Sequence, residues 1–204
     1  MTLEKLCPGS WGSNCYLLIS GTHAAVVDPS VKAETLCTLL QQKYGATLDY
    51  ILLTHGHFDH IVSVDSLRDL THAPLCVHKW DAEMLSDSQK NAFFTFFRTD
   101  RTYRPAERLL EDGNELLLGD ETIRVIATPG HSMGSVCYLC NDEFLITGDT
   151  LFQMGYGRYD LWGGDEKTLF DSLASLRSLP ASLPIHPGHG ESSTLGAALD
   201  NVIY

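Results

Sequence analysis

Three imidazoles and a carboxylate stand within six residues in His55-Gly56-His57-Phe58-Asp59-His60. A borderline divalent cation takes imidazole nitrogen and carboxylate oxygen at about 2.0–2.2 Å, so such ligands must converge from stiff supports. The run follows Tyr50-Ile51-Leu52-Leu53, a continuous apolar stretch that reads as a strand. It precedes 61–70, where Val64, Leu67 and Leu70 recur at helical spacing. The motif therefore belongs on a strand-to-helix loop. His55 and His57 are two apart, so on extended chain they face one side and can chelate one ion, with Gly56 leaving room between them. Asp59 and His60 come as the chain turns toward its helix, which rotates them away from the first pair and toward a second ion. An Asp at this point also makes a good helix N-cap; standing between two histidines, it is read as a ligand.

Three more candidates sit in separate loops after predicted strands. They are His131 in Thr128-Pro129-Gly130-His131-Ser132, Asp149 in Thr147-Gly148-Asp149-Thr150, and His189 in Pro187-Gly188-His189-Gly190. Each follows a glycine, which permits unusual dihedrals and close backbone approach on a crowded rim. One Gly-His pair is a weak signal, whereas three such loops joined to the first run are a strong one. Of the nine histidines, His23, His72 and His78 lack glycine neighbours and are read as ordinary residues, and His186 as supporting or structural.

The remaining pattern is a two-sheet core. Strands are expected from Leu3 to Cys7, at 15–19 and at 24–27, with Pro8-Gly9 as a turn, and a helix over 31–44 ends at Gly45. A further strand at 74–78 leads into 80–97, expected to be largely helical and to act as a cover. Its Phe93-Phe94-Thr95-Phe96-Phe97 cluster is assigned to core packing, with a substrate cleft or a dimer contact as the alternatives. Strands return at 116–118, 122–127, 136–139 and 144–146, then a helix over 165–179, a strand at 183–186 and a small terminal helix. Helices outside both faces of two sheets are the natural packing of this order.

Composition narrows the class. The chain has 204 residues, 44% hydrophobic, and a net charge of -12. One domain over 1–204 is expected. With no Lys/Arg cluster to track phosphates, nucleic acid is not an expected partner. No apolar run is long enough to span a membrane and no signal-peptide core is seen, so a cytoplasmic protein with reduced thiols is expected. Cys137-Tyr138-Leu139-Cys140 has the spacing of a zinc knuckle, yet in a strand residues three apart face opposite sides, so both are read as structural.

Thr54-His-Gly-His-Phe-Asp-His60, Gly130-His131-Ser132, Gly148-Asp149-Thr150 and Pro187-Gly-His-Gly190 resemble the metallo-β-lactamase superfamily, in its order and over nearly the whole chain. The resemblance implies an α+β fold, a four-layer αβ/βα sandwich of two mixed sheets with helices on both outer faces. It implies that His55, His57 and His131 bind one ion, that Asp59, His60 and His189 bind the other, and that Asp149 bridges them. Two divalent ions are expected, zinc first, with iron or manganese as alternatives.

Within the superfamily, Gly148-Asp-Thr-Leu-Phe152, Gly157-Arg-Tyr-Asp160 and Gly163-Gly-Asp165 look like glyoxalase II and its short bacterial relatives, which hydrolyse glutathione thioesters. Arg158 occupies the place of a glutathione-binding lysine in longer members, and is expected to pair with Asp160 as a buried support or to meet an anionic substrate. Those members also carry a C-terminal helical segment that helps hold glutathione, while this sequence ends at Tyr204. A β-lactamase is disfavoured, because Asp149 stands where one β-lactamase class has a cysteine ligand.

The expected activity is thus hydrolysis of a small-molecule thioester by a hydroxide held between the ions, with Asp59 orienting or deprotonating the water. The alternatives are a mononuclear iron persulfide dioxygenase using His55, His131 and Asp149, a hydrolase of another ester or lactone, and a metal-binding protein without catalysis. A monomer or homodimer is expected.

Overall fold

The computed structural model describes residues 1–6 and 11–202. Cys7, the Pro8-Gly9 turn and the last two residues, Ile203 and Tyr204, lie outside the described residues.

Six strands form the first sheet in sequential order: β1 (Thr2–Leu6), β2 (Cys15–Ser20), β3 (His23–Val27), β4 (Thr47–Leu52), β5 (Leu75–His78) and β6 (Arg108–Leu110). The second runs in the order β12-β11-β10-β9-β8-β7, from β7 (Glu115–Leu118), β8 (Glu121–Ala127), β9 (Val136–Cys140), β10 (Phe144–Gly148), β11 (Pro184–Pro187) and β12 (Ser193–Thr194). Both sheets are mixed: β3 to β6 pair parallel, β10 pairs parallel with β11, and the other pairs are antiparallel.

Strand alternation distributes the core into three layers. Tyr16 and Leu18 of β2 and Ala25 and Val27 of β3 meet Ile123, Val125, Val136 and Tyr138 between the sheets. The alternate residues Cys15, Leu17, Ala24 and Val26 face outward onto Ala33 and Leu36 of helix α1 (Ala33–Leu39) and Val64 and Leu67 of α2 (Val64–Thr71). Across the molecule, Cys137, Leu139 and Leu145 pack on Leu169, Leu173 and Leu176 of α4 (Glu166–Leu176) and on Leu195, Ala198 and Leu199 of α5 (Leu195–Asp200). The expected αβ/βα sandwich is therefore the observed architecture. Cys137 and Cys140 do enter opposite layers. No helix among the described residues is long and apolar enough to cross a membrane.

Helix ends follow local chemistry. After α1 the chain makes one wider turn over Leu40–Tyr44 and stops at Gly45, whose φ of 58° is the left-handed cap expected of it. The Asp165 carboxylate accepts the Thr168 amide at 2.8 Å and caps α4.

The stretch 80–97 departs from expectation. It holds one tight turn, Ala82–Ser86, and one five-residue helix, α3 (Phe93–Phe97), joined by irregular chain. The Asp87 carboxylate takes the amide of Gln89 at 2.9 Å, and the Asn91 side chain takes that of Phe93 at 2.9 Å. Side chains that capture nearby amides compete with a helix ladder, and Ala92 at φ 68° breaks it. The phenylalanines are core only in part: Phe93 is buried, but Phe96 and Phe97 are 51% and 44% exposed.

Candidate metal centre

Four loops at strand ends bring the candidate residues together. The run 55–60 follows β4, His131 follows β8, Asp149 follows β10 directly, and His189 follows β11. His55, His57 and His131 form one group whose ligand atoms all lie within 4.8 Å of one another; Asp59, His60 and His189 form a second group by the same measure. The Asp149 carboxylate lies between them, Oδ1 3.4 Å from His60 Nε2 and Oδ2 3.7 Å from His131 Nε2 and 3.5 Å from His189 Nε2. Asp59 caps no helix, since α2 starts only at Val64; its Oδ2 lies 3.2 Å from His189 Nε2.

The ring nitrogens facing away from this centre show what faces into it. His131 Nδ1 donates to the Arg158 carbonyl at 2.6 Å, and His189 Nδ1 to the Gly12 carbonyl at 3.2 Å. His60 Nδ1 donates to Asp28 Oδ2 at 2.9 Å. Thr54 Oγ1 gives its proton to Asp28 at 2.6 Å, so it accepts from His55 Nδ1 at 3.1 Å. Each of these four rings thereby turns its Nε2 inward, the atom a cation would take. The Nε2 atoms of His60 and His189 sit 3.3 Å apart. His55 Nε2, His57 Nε2 and Asp149 Oδ1 are buried with no hydrogen-bonding partner. His57 instead turns Nδ1 toward the cluster, 2.9 Å from His131 Nε2. Buried acceptors without donors are costly, and a pair of divalent cations is the group that would satisfy His55 Nε2, Asp149 Oδ1 and the nitrogens that converge with them. The donor set, imidazole nitrogens and carboxylates without a thiolate, fits zinc, iron or manganese.

The electrostatics agree. Burial and the neighbouring imidazoles push His55 and His57 well below the ordinary histidine range, leaving them neutral and ready to ligate. At His60 burial works the same way, yet Asp59, Asp149 and Asp28 outweigh it and raise its pKa to about 10. Burial would raise Asp59, but His60, His189 and His57 hold it below the usual carboxylate range. Three carboxylates thus draw positive charge into one spot.

Backbone packing around the centre leaves no slack. A Cβ at Gly188 would meet Asp149 Oδ1 and would lie 2.8 Å from His60 Cε1. Gly148 has φ 50° and rests on the Thr54 side chain, so the chain entering Asp149 is held against the loop that begins the histidine run.

Two buried carboxylates that support the centre were not picked out from the sequence. Asp28, at φ 51° just past β3, accepts from the Thr54 amide at 2.8 Å as well as from Thr54 Oγ1 and His60. Asp81, fully buried, accepts the Gly56 amide at 3.0 Å and Ser132 Oγ at 2.6 Å on one oxygen, and the Gly134 amide at 2.6 Å on the other. It therefore ties the His55–His57 segment to the His131 loop. Asp81→Ala strands those donors, and a 10- to 100-fold loss of metal affinity is expected by chelator competition. An unchanged affinity would show that the two loops hold their places without it.

Other histidines lie apart: His23 pairs with Asp49 at 2.7 Å on the surface, His186 Nδ1 meets Ser192 Oγ at 2.9 Å, and His78 is buried beside Trp80. His23 does have a carboxylate partner, contrary to expectation. Arg158 and Asp160 do pair, at 2.6 and 2.8 Å, but they are about half exposed rather than buried. The main chain of Arg158, not its guanidinium, contacts the histidine cluster, through the carbonyl that orients His131.

The ligand groups open into a cleft of about 270 Å³. Phe58, Ala92, Phe96, Phe152, Gly157, Arg158 and Leu161 wall it, with His57, Asp59, His131, Asp149 and His189 at its base.

A family model described as the metallo-beta-lactamase superfamily matches residues 8–193. A probable metallo-hydrolase of Bacillus subtilis (strain 168), YqgX, is 36% identical over 93% of this chain and 90% of its own length. Among solved structures, the BLEG-1 B3 metallo-beta-lactamase superposes with a TM-score of 0.91 at 36% identity, covering 98% of this chain and 97% of its own. TTHA1623, solved in a di-iron-bound form, gives 0.84 at 35% identity, covering 95% and 96%.

Proposed function

The chain belongs to the metallo-β-lactamase superfamily as a metal-dependent hydrolase, and within it we propose a dinuclear thioesterase with chemistry of the glyoxalase II type. One observation carries the choice of bond. Among the described residues lining the cleft there is no Tyr, Lys, Ser or Cys that could hand a proton to a leaving group. An amide nitrogen or an alkoxide must be protonated to leave, whereas a thiol with a pKa near 8.5 departs as its anion.

His55, His57 and His131 would hold one ion, Asp59, His60 and His189 the other, with Asp149 shared. When bound, the ions supply a water acidic enough to ionise near neutrality and polarise the carbonyl under attack. The chain does the rest. Asp59, kept ionised by His60, His189 and His57, accepts a hydrogen bond from the attacking water and aims it. The Gly12, Arg158 and Asp28 acceptors hold three imidazoles in the tautomer that presents Nε2. Phe58, Phe96 and Phe152 give the cleft apolar walls beside the charged groups at its base.

A second reading, β-lactam hydrolysis, is favoured by the similarity to BLEG-1, described as a B3 metallo-beta-lactamase. Native protein is assayed for metal by elemental analysis, and for turnover of S-acyl thioesters, nitrocefin and persulfide. Two ions per chain with thioester cleavage is the expected result. Nitrocefin cleaved faster than any thioester would replace this reading with the second, and one iron with persulfide-dependent oxygen uptake would overturn both.

A further inference from the structure

The cleft has a polar floor and aromatic walls, and its walls select the substrate. Phe58, Phe96, Phe152, Leu161 and Ala92 leave Arg158 as the one cationic side chain, histidines aside, among the described residues that line it. That guanidinium is already paired: Nε and Nη2 both donate to Asp160, at 2.6 and 2.8 Å, and its carbon lies 5.8 Å from the centre of the Phe96 ring. The base adds the carboxylates of Asp59 and Asp149. Along the walls, away from the ions held at the base, a substrate arm would meet apolar surface and one guanidinium already paired with a carboxylate.

The aromatic wall is built, not incidental. Phe58 packs edge-on against Phe93 at 5.7 Å and Phe97 at 5.4 Å, and lies 5.6 Å from Phe96, so the histidine loop and α3 share one aromatic cluster. Trp11 closes its back, 5.3 Å from Phe58 and 5.8 Å from Phe97. Phe96 remains 51% exposed beside the cleft, while Phe93 of the same cluster is buried. An exposed ring on a rigid cluster, bordering an opening with ligand atoms at its base, is placed to bury an apolar group.

We infer that this wall binds an uncharged, apolar acyl arm of the substrate, so that the preferred thioesters carry an alkyl or aryl acyl group and no anionic recognition element. A cleft of about 270 Å³ holds roughly nine water-sized groups, which leaves room for the thioester and an arm of about six carbons. The inference rests on the thioesterase reading for the bond that breaks, not for the wall that holds the arm.

The test uses thioesters of one neutral thiol, N-acetylcysteamine, with acetyl, butanoyl, hexanoyl and phenylacetyl groups, alongside S-lactoylglutathione. On the metal-loaded protein kcat/KM should rise roughly fourfold per methylene up to about six carbons, with S-lactoylglutathione at the low end. Phe96→Ala should flatten that slope. Being a ratio between substrates on one preparation, the slope is insensitive to the fraction of protein folded. Calorimetry with ketone analogues, CH2 replacing the thioester sulfur, reads the same slope in Kd without any turnover. Equal rates along the series with S-lactoylglutathione fastest would overturn the inference and leave the thioesterase standing. A binding slope without hydrolysis would uphold the wall and sink the thioesterase. A flat binding series would overturn the wall whatever the activity.

Discussion

Asp149→Ala should lower the metal content of natively purified protein from two ions per chain to one or none, and reduce kcat/KM by about 10³-fold or more, beyond the loss of a single stabilising donor. Among the carboxylates of the described residues, Asp149 is the one whose oxygens lie within 4 Å of histidine nitrogens in both ligand groups, His131 on one side and His60 and His189 on the other. Its removal deletes one of the three negative charges that hold positive charge at His60, whose Nε2 lies 3.3 Å from that of His189. Asp149→Asn separates the causes. The amide fills the same space against Gly188 but carries no charge and offers one acceptor where two are used. If charge and bridging are what matter, the Asn variant should lose metal nearly as completely as the Ala variant. Elemental analysis with chelator titration decides it, and two ions retained in either variant would remove Asp149 from the shared position.

What could be read in the sequence followed how local its physics is. The apolar strand at 15–19, the helical spacing of Val64 and Leu67 and the Gly45 cap depend on neighbours a few residues away, and each matches the structure. The seven ligand candidates were legible because they occupy strand ends, where a short stiff loop has little choice of direction. Asp28 and Asp81 were not, because nothing near them in the chain marks their task. Asp28 also sits at a strand end, but its partners His60 and Thr54 lie 32 and 26 residues on, and Asp81 reaches Ser132 51 residues away. The aromatic stretch misled for a related reason. Four phenylalanines within five residues look like core, yet whether a ring is covered is decided by what packs over it, and α3 stands at the rim of the cleft. Arg158 and Asp160, two residues apart, found each other as the spacing allows; their exposure was a property of the surrounding surface.

Asp28 offers the sharpest separation of folding from metal binding. Its carboxylate is buried, held at φ 51°, and takes three donors: the Thr54 amide, Thr54 Oγ1 and His60 Nδ1. Asp28→Ala leaves all three unsatisfied in the interior. The expected cost is about 3–5 kcal/mol, or a melting temperature lower by roughly 10 °C for a chain of this size. Asp28→Asn should differ in kind. The amide oxygen can still accept from Thr54, so most of the stability is kept. Its NH2 group, however, now points a donor at His60 Nδ1. His60 can answer only by moving its proton to Nε2, which turns the lone pair away from the centre and puts a donor in its place. The Asn variant should therefore melt within a few degrees of the parent yet bind the second ion 10- to 100-fold more weakly. Melting curves of the metal-free proteins and chelator titrations of the loaded ones read the two effects independently. Equal metal affinity in parent and Asn variant would mean that His60 keeps its tautomer without Asp28, and that the carboxylate serves the fold alone.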